Sequence, residues 1–286
     1  MLALVLATVC STGFGLVVRR AQGRGSNLWL VGVANYIVAC AFHLVRHVSQ
    51  GGNLAVHPTT VALGAVVGVA YAASFAATLP TMRMRGVSIS TAVARLSVVI
   101  PILVAVLCWG ERPNGAQVGG SLLALTAMPF LGIQCGSGPV RIERRQVRWM
   151  VALFFLSGIS SLGIRTFDEF GAASETSAFL ATLFGTGGVV IACLLIWGVL
   201  HGKARALELG AVGEGCVLGL LNAGSNLALI TALRQIPSVL VFPFQGAVSL
   251  VLSCLAARLL WGERISRLEA VGMSIAVVSV IFINLR

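Results

Sequence analysis

The chain has 286 residues, 57% of them hydrophobic and 10% charged, with a formal charge of +11; its mean hydropathy of +0.96 is too high for a soluble domain. No runs of alternating apolar and polar residues mark it as a membrane β-barrel. Its basic residues sit in short loops between apolar runs, with no basic face interleaved with aromatics, so they point to membrane topology and not to nucleic acid.

A bilayer core takes about 20 apolar residues per helix. On that ruler the sequence predicts an all-α membrane protein of ten transmembrane helices, at 1–18, 28–45, 59–79, 86–108, 115–134, 149–167, 177–200, 213–233, 239–260 and 268–285. The first begins at Met1 with no basic segment before it, and arginines and further spans follow, so it reads as a membrane helix. The seven cysteines (Cys10, Cys40, Cys108, Cys135, Cys193, Cys216 and Cys254) are scattered without metal spacing. They are expected to be small buried hydrophobes, and no metal or cofactor is implied.

After the fourth span stands Trp109-Gly110-Glu111-Arg112, which recurs 152 residues later, after the ninth, as Trp261-Gly262-Glu263-Arg264. A glycine follows each copy after eight residues, Gly120 and Gly272, and eleven of 28 positions match between 97–124 and 249–276. The tetrapeptide suits a helix-to-helix corner. The indole sits at the membrane interface, the glycine stops a helix in the left-handed conformation, and the carboxylate accepts from free N–H groups at the next helix start. The expected units are residues 1–134 and 148–286, two five-helix repeats in one membrane domain, joined by the Gly-, Ser- and Arg-rich stretch 135–148. An odd number of spans per repeat inverts the second copy relative to the first. Of the 20 basic residues, fourteen fall in loops on one side, five on the other, and Arg95 within a span. The positive-inside rule places the fourteen in the cytoplasm and both termini outside.

Ten spans, the five-plus-five duplication and the Gly-Glu-Arg corners resemble the drug/metabolite transporter superfamily, EamA type, over essentially the whole length. A further marker runs from Gly219-Leu-Leu-Asn222 through Ala232-Leu233 to Val241-Phe242-Pro243. The resemblance implies a secondary carrier of small metabolites, often an exporter, in the bacterial inner membrane. Its partners would be the lipid bilayer and a small-molecule substrate. Substrate and oligomeric state are left open. The chain departs from many relatives in lacking a basic N-terminal tail.

Polar groups inside spans are costly unless they face protein or a wet cavity. Asn35 and Tyr36 share the second span; Tyr71, Ser74 and Thr78 the third; Ser88, Thr91 and Arg95 the fourth; Asn222 and Asn226 the eighth; and Phe242, Gln245, Ser249 and Ser253 the ninth. These stripes either line a central cavity or hold the bundle by interhelical hydrogen bonds. Pro80, Pro101 and Pro243 are candidate hinges or static kinks. The pairs Gly64/Gly68 and Gly215/Gly219 are candidates for close helix packing. Asp168, Glu169 and Glu175 are assigned to the loop after the sixth span, so no carboxylate stands inside a span to couple protons. Arg95 is the exception among charges. The second copy has Ala247 at the matching position, so the duplication does not require an arginine there. A cavity-facing guanidinium would bind a carboxylate or phosphate; a structural one would bond helix ends or reach an interface. The alternative to a carrier is an integral-membrane enzyme such as a group transferase. Against it, His43, His47, His57 and His201 lie at span ends or in loops with no carboxylate at i+3 or i+4.

Overall fold

The computed structural model describes residues 1–52, 56–132, 144–201, 208–262 and 267–284, with the backbone alone at 83–89, 129, 131–132, 261 and 283–284. These residues form α1 (Leu2–Gly23), α2 (Leu28–Ser49), α3 (Pro58–Leu96), α4 (Val99–Cys108), α5 (Gly115–Gly132), α6 (Arg144–Phe170), α7 (Thr176–Leu200), α8 (Leu209–Leu233), α9 (Ser238–Trp261) and α10 (Arg267–Asn284). A single 3-10 turn, Ala173–Glu175, precedes α7, and no strand occurs among the described residues. Eight described segments are long and apolar enough to cross a membrane: α1, α2, Pro58–Met82, Ser90–Cys108, α6, α7 with the 3-10 turn before it, α8 and Ser238–Leu260. The chain is an all-α, multi-pass membrane protein. Helices suit that solvent because every backbone bond closes inside the element.

The third and fourth spans differ from expectation. The backbone stays helical from Pro58 to Leu96 through Pro80, and the break comes at Ser97 and Val98. Pro101 accounts for it. Its ring crowds the carbonyl four residues back, and it has no N–H to offer. The Ser97 carbonyl accepts from Ile100 N instead, at 3.0 Å. A straight helix would part Tyr71 from Arg95 by about 36 Å. Both line one cavity. The two arms of α3 therefore lie side by side. Asp168 and Glu169, expected in a loop, belong to the last turn of α6.

The packing pairs are orderly. Helix α2 packs on α7 and α5 on α10; α1 packs on α8 and α9, as α6 packs on α3 and α4; α2 also meets α8, as α3 meets α7. Small residues bring the last two pairs together, as expected. A Cβ on Gly68 would lie 2.4 Å from the Leu183 carbonyl of α7. Cβ atoms on Gly215 and Gly219 would lie 2.6 and 2.7 Å from the Val31 and Asn35 carbonyls of α2.

Two ends of the bundle are defined by carboxylates. At one, Glu111 accepts from Ser238 N (3.1 Å), Ser238 Oγ (2.8 Å) and Val239 N (3.2 Å), capping α9. At the other, Glu214 accepts from Ser26 Oγ (2.8 Å) and Arg24 (3.4 Å). Gly110 and Gly262 have φ of +70° and +67°, the left-handed stops expected of the two corners. Glu111 caps the N-terminus of α9 and Gly262 ends that 24-residue helix, so the corners lie about 36 Å apart, at opposite ends. Glu263 and Arg264 lie outside the described residues.

Candidate functional site

A cavity of about 270 Å³ lies in the middle of the bundle, walled by α1, α2, α3, α6, α8 and α9. All nine binding candidates line it: Asn35, Tyr36, Tyr71, Ser74, Thr91, Arg95, Asn222, Asn226 and Gln245. Thr78 and Phe242 join them.

Helical spacing sets the first feature, an amide and phenol network. Asn222 and Asn226 stand one turn apart on α8, and Asn226 Nδ2 donates to Asn222 Oδ1 at 2.8 Å. Asn222 Nδ2 donates to Asn35 Oδ1 across to α2 at 3.2 Å. The Tyr71 hydroxyl donates to Asn222 Oδ1 (3.3 Å) and accepts from Asn226 Nδ2 (3.2 Å), tying in α3. Tyr36 makes the apolar wall behind it, edge-on to Tyr71, Phe75 and Phe184. Its ring fits because Gly187 has no side chain; a Cβ there would stand 2.6 Å from the ring.

The second feature is Arg95. Its guanidinium donates to Ser11 Oγ on α1 at 2.5 Å. No ion pair among the described residues involves it, and no carboxylate lines the cavity. A lone cation thus faces hydroxyls, amides and phenols. Such a site accepts a carboxylate or phosphate through charge-assisted bonds.

The cavity is closed toward the Glu111 end. There its lining residues Val98, Ile164, Leu229 and Phe242 are at most 8% exposed, and Phe167, Phe179, Leu180, Leu233 and Val241 pack behind them. Toward the Glu214 end, Ser11, Phe14, Gly15, Thr91 and Arg95 are partly exposed, while Val18, Met82 and Ser90 of the lining are buried.

Other expectations fare differently. Ser249 and Ser253 turn away from the cavity and bond their own helix, to the Gly246 and Ser249 carbonyls at 3.1 and 2.6 Å. The Ser88 side chain lies outside the described ones. Pro80 and Pro243 lie inside α3 and α9, and Pro101 stands at the third position of α4. His43, assigned to a span end, is fully buried and stacked on Phe184, with ring centroids 5.7 Å apart. Ser11 and the serines of α6, Ser157, Ser160 and Ser161, line the cavity without having been anticipated. The α6 set was readable, since its i, i+3, i+4 spacing puts all three on one face. Ser157 Oγ lies 2.7 Å from Ser74 Oγ.

The corner at Trp109–Arg112 does more than turn the chain. Glu111 was expected to serve α5, but that helix has its own reciprocal box. Asn114 Oδ1 accepts from Gln117 N (2.8 Å), and Gln117 Oε1 accepts from Asn114 N (3.0 Å). Glu111 serves α9 instead, and it accepts from Arg165 Nη2 of α6 at 3.0 Å. Burial pushes its carboxyl up, but the bonds from Ser238, Arg165 and Val239 outweigh burial and hold it below the ordinary carboxylate range. Trp109 lies under Arg165, whose Cζ is 5.0 Å from the ring centre. Arg112 is exposed.

No family model matches the chain. It is 25% identical over 284 residues to an uncharacterized protein of Haemophilus influenzae, an alignment covering 94% of this chain and 93% of that one. A protein of known crystal structure superposes on 99% of this chain and 98% of its own, with a TM-score of 0.74 at 15% identity, so the two share a fold.

Proposed function

We propose that the chain is a ten-span secondary transporter of the drug/metabolite transporter superfamily, EamA type, built as two inverted five-helix repeats. It carries a small anionic or zwitterionic metabolite across the bacterial inner membrane by alternating access, as an exporter or exchanger.

Several contacts support the repeat. Exchanging α1 with α6, α2 with α7, α3 with α8, α4 with α9 and α5 with α10 maps α1–α8 onto α6–α3, α1–α9 onto α6–α4 and α2–α8 onto α7–α3 and leaves α2–α7 and α5–α10 in place, while α5–α9 has no equally extensive counterpart. Gly64 and Gly68 stand 151 residues before Gly215 and Gly219 and do the same job in mirrored pairs. Tyr71 and Asn222 are also 151 apart, and they meet each other across the cavity. Equivalent residues touch where a pseudo-two-fold axis passes between them. Carriers of this plan bind substrate near mid-depth, where the repeats meet.

The observation that carries the substrate class is Arg95, a guanidinium with a hydroxyl for partner and no carboxylate, lining a cavity sealed at one end. Purified protein is screened by thermal shift against carboxylates, phosphates, zwitterions and amines. Acidic or zwitterionic metabolites should raise Tm in the wild type, lose the effect with Arg95→Gln and recover it in part with Arg95→Lys, which lacks the bidentate fork. Uptake of the hits into proteoliposomes then reports transport. Stabilisation by amines alone, or by acids equally in Arg95→Gln, overturns the reading.

A further inference from the structure

At the closed end of the cavity three segments are joined by charge. Arg165 of α6 reaches Glu111 of the corner at 3.0 Å, Asp168 at 2.8 Å and Glu169 at 2.8 Å. Arg234, just past α8, stands 3.7 Å from Asp168 and donates to Thr176 Oγ1 at the start of α7 at 3.2 Å. Glu111 meanwhile holds the first N–H groups of α9. The side chains of Arg165, Asp168 and Glu111 are 8%, 4% and 11% exposed, so the centre of the cluster is shielded from water and from screening salt.

We infer that Glu111 is a latch: by bridging Arg165 to the N-terminus of α9 it holds the Glu111 end of the cavity shut, and its release opens that end. The helix it grips carries Phe242 and Gln245 into the cavity wall five and eight residues into α9. Tilting α9 away from α6 therefore unseals the site and moves two of its lining residues together. The cluster is not a permanent weld, because Arg165 Nε and Asp168 Oδ1 are buried without a hydrogen-bond partner. Water entering on opening offsets part of what the closed state gains. The latch is also one-sided. If α1 corresponds to α6 as the packing pairs indicate, the segment matching Arg165 is Gly13–Leu16, which carries no charge. Phe14 and Gly15 from it line the cavity. The ion pair described at the other end, Arg24–Glu214, is longer at 3.4 Å and has one partner 58% exposed, so it holds that end less firmly than the buried Arg165 cluster holds this one.

The inference rests on the alternating-access reading, but its test reads conformation and needs no substrate, so the two can fail separately. Spin labels at Ala172→Cys and Gln235→Cys, in a background free of native cysteines, report the distance across the latched end in reconstituted bilayers. The latched protein should give one short distance. Glu111→Gln should raise a longer-distance population about tenfold, as expected for losing a charge-assisted bridge. Ser238→Ala removes one donor to Glu111 and should give a smaller shift in the same direction, which keeps the test decisive if Glu111→Gln does not fold. Glu111→Asp, which keeps the charge, should restore part of the short distance. Unchanged distances in whichever of these variants is monodisperse and helical overturn the latch.

Discussion

Arg95 and Glu111 show how differently a charge behaves in this bundle according to its partners. Arg95 has Ser11 as its hydrogen-bond partner and lines the cavity, so its remaining donors are available to a ligand. Glu111 has four donors aimed at it, so its charge is spent on structure. Because those donors hold the folded carboxyl below its ordinary value near 4.5, its contribution to stability is present above about pH 4.5 and is lost as pH falls through the lower folded value. Hydrogen bonds to a charged group contribute about 1.5–3 kcal/mol. Glu111→Gln should therefore lower Tm at pH 7 by an amount matching that range. The gap between variant and wild type should narrow on acidification below pH about 4.5. A gap that stays constant down to pH about 3 in a Tm series would show that ionisation of Glu111 is not what stabilises the fold.

At the scale of elements, helix contacts here are set by where side chains are missing. With no hydrophobic drive between helices in lipid, close backbone approach does the work. Gly68 stands where an added Cβ meets a backbone carbonyl of α7, which cannot swing aside. Gly68→Val should cost about 1–3 kcal/mol by overpacking, and Gly219→Val a similar amount against α2. Gly119→Val is the control, since a Cβ at Gly119 meets nothing within 4 Å. Equal melting temperatures for all three in detergent would sink the packing argument. These glycine contacts were legible in the sequence because i, i+4 spacing fixes a face. Helix ends were less so. The apolar ruler stops where hydropathy falls, but α1 runs on to Gly23 and α6 starts at Arg144, since arginine is a good helix former outside the lipid. The α3–α4 break lies well past the point where hydropathy dips, because a proline's clash four residues back decides it. The partner of Glu111 was not legible at all. Local spacing offered α5, but a tertiary contact 127 residues away won. For the cavity, all nine singled-out side chains converge because a buried polar group in a membrane helix has few other places to point. The serines of α1 and α6 were passed over because a hydroxyl can also bond its own helix.

For the whole molecule, the distribution of charge bears on which end faces the cytoplasm. The proposed ten crossings require the chain to alternate between the Glu111 and Glu214 ends. The contacts obey that alternation: His57 N donates to Glu175 at one end (3.1 Å), and Asn27 N to Glu208 at the other (3.1 Å). The basic residues then divide unequally. Arg19, Arg20, Arg24 and the first turns of α6, with Arg144, Arg145 and Arg148, belong with the Glu214 end, and Arg46 and Arg234 with the Glu111 end. Translocating a loop against that bias is disfavoured, so the proposed topology puts the richer end in the cytoplasm. On the proposed carrier reading, a cavity reached from the Glu214 end would be loaded from the cytoplasm, as an exporter or exchanger requires. Two positions test it in a cysteine-free background. Ser174→Cys is exposed at the Glu111 end and should label in intact cells with a maleimide that cannot cross the membrane. Arg20→Cys is exposed at the Glu214 end and should label only after the membrane is permeabilised. The reverse pattern would turn the molecule over and make the open cavity face outward. Labelling of both positions in intact cells would instead break the alternation, and with it the ten-span reading.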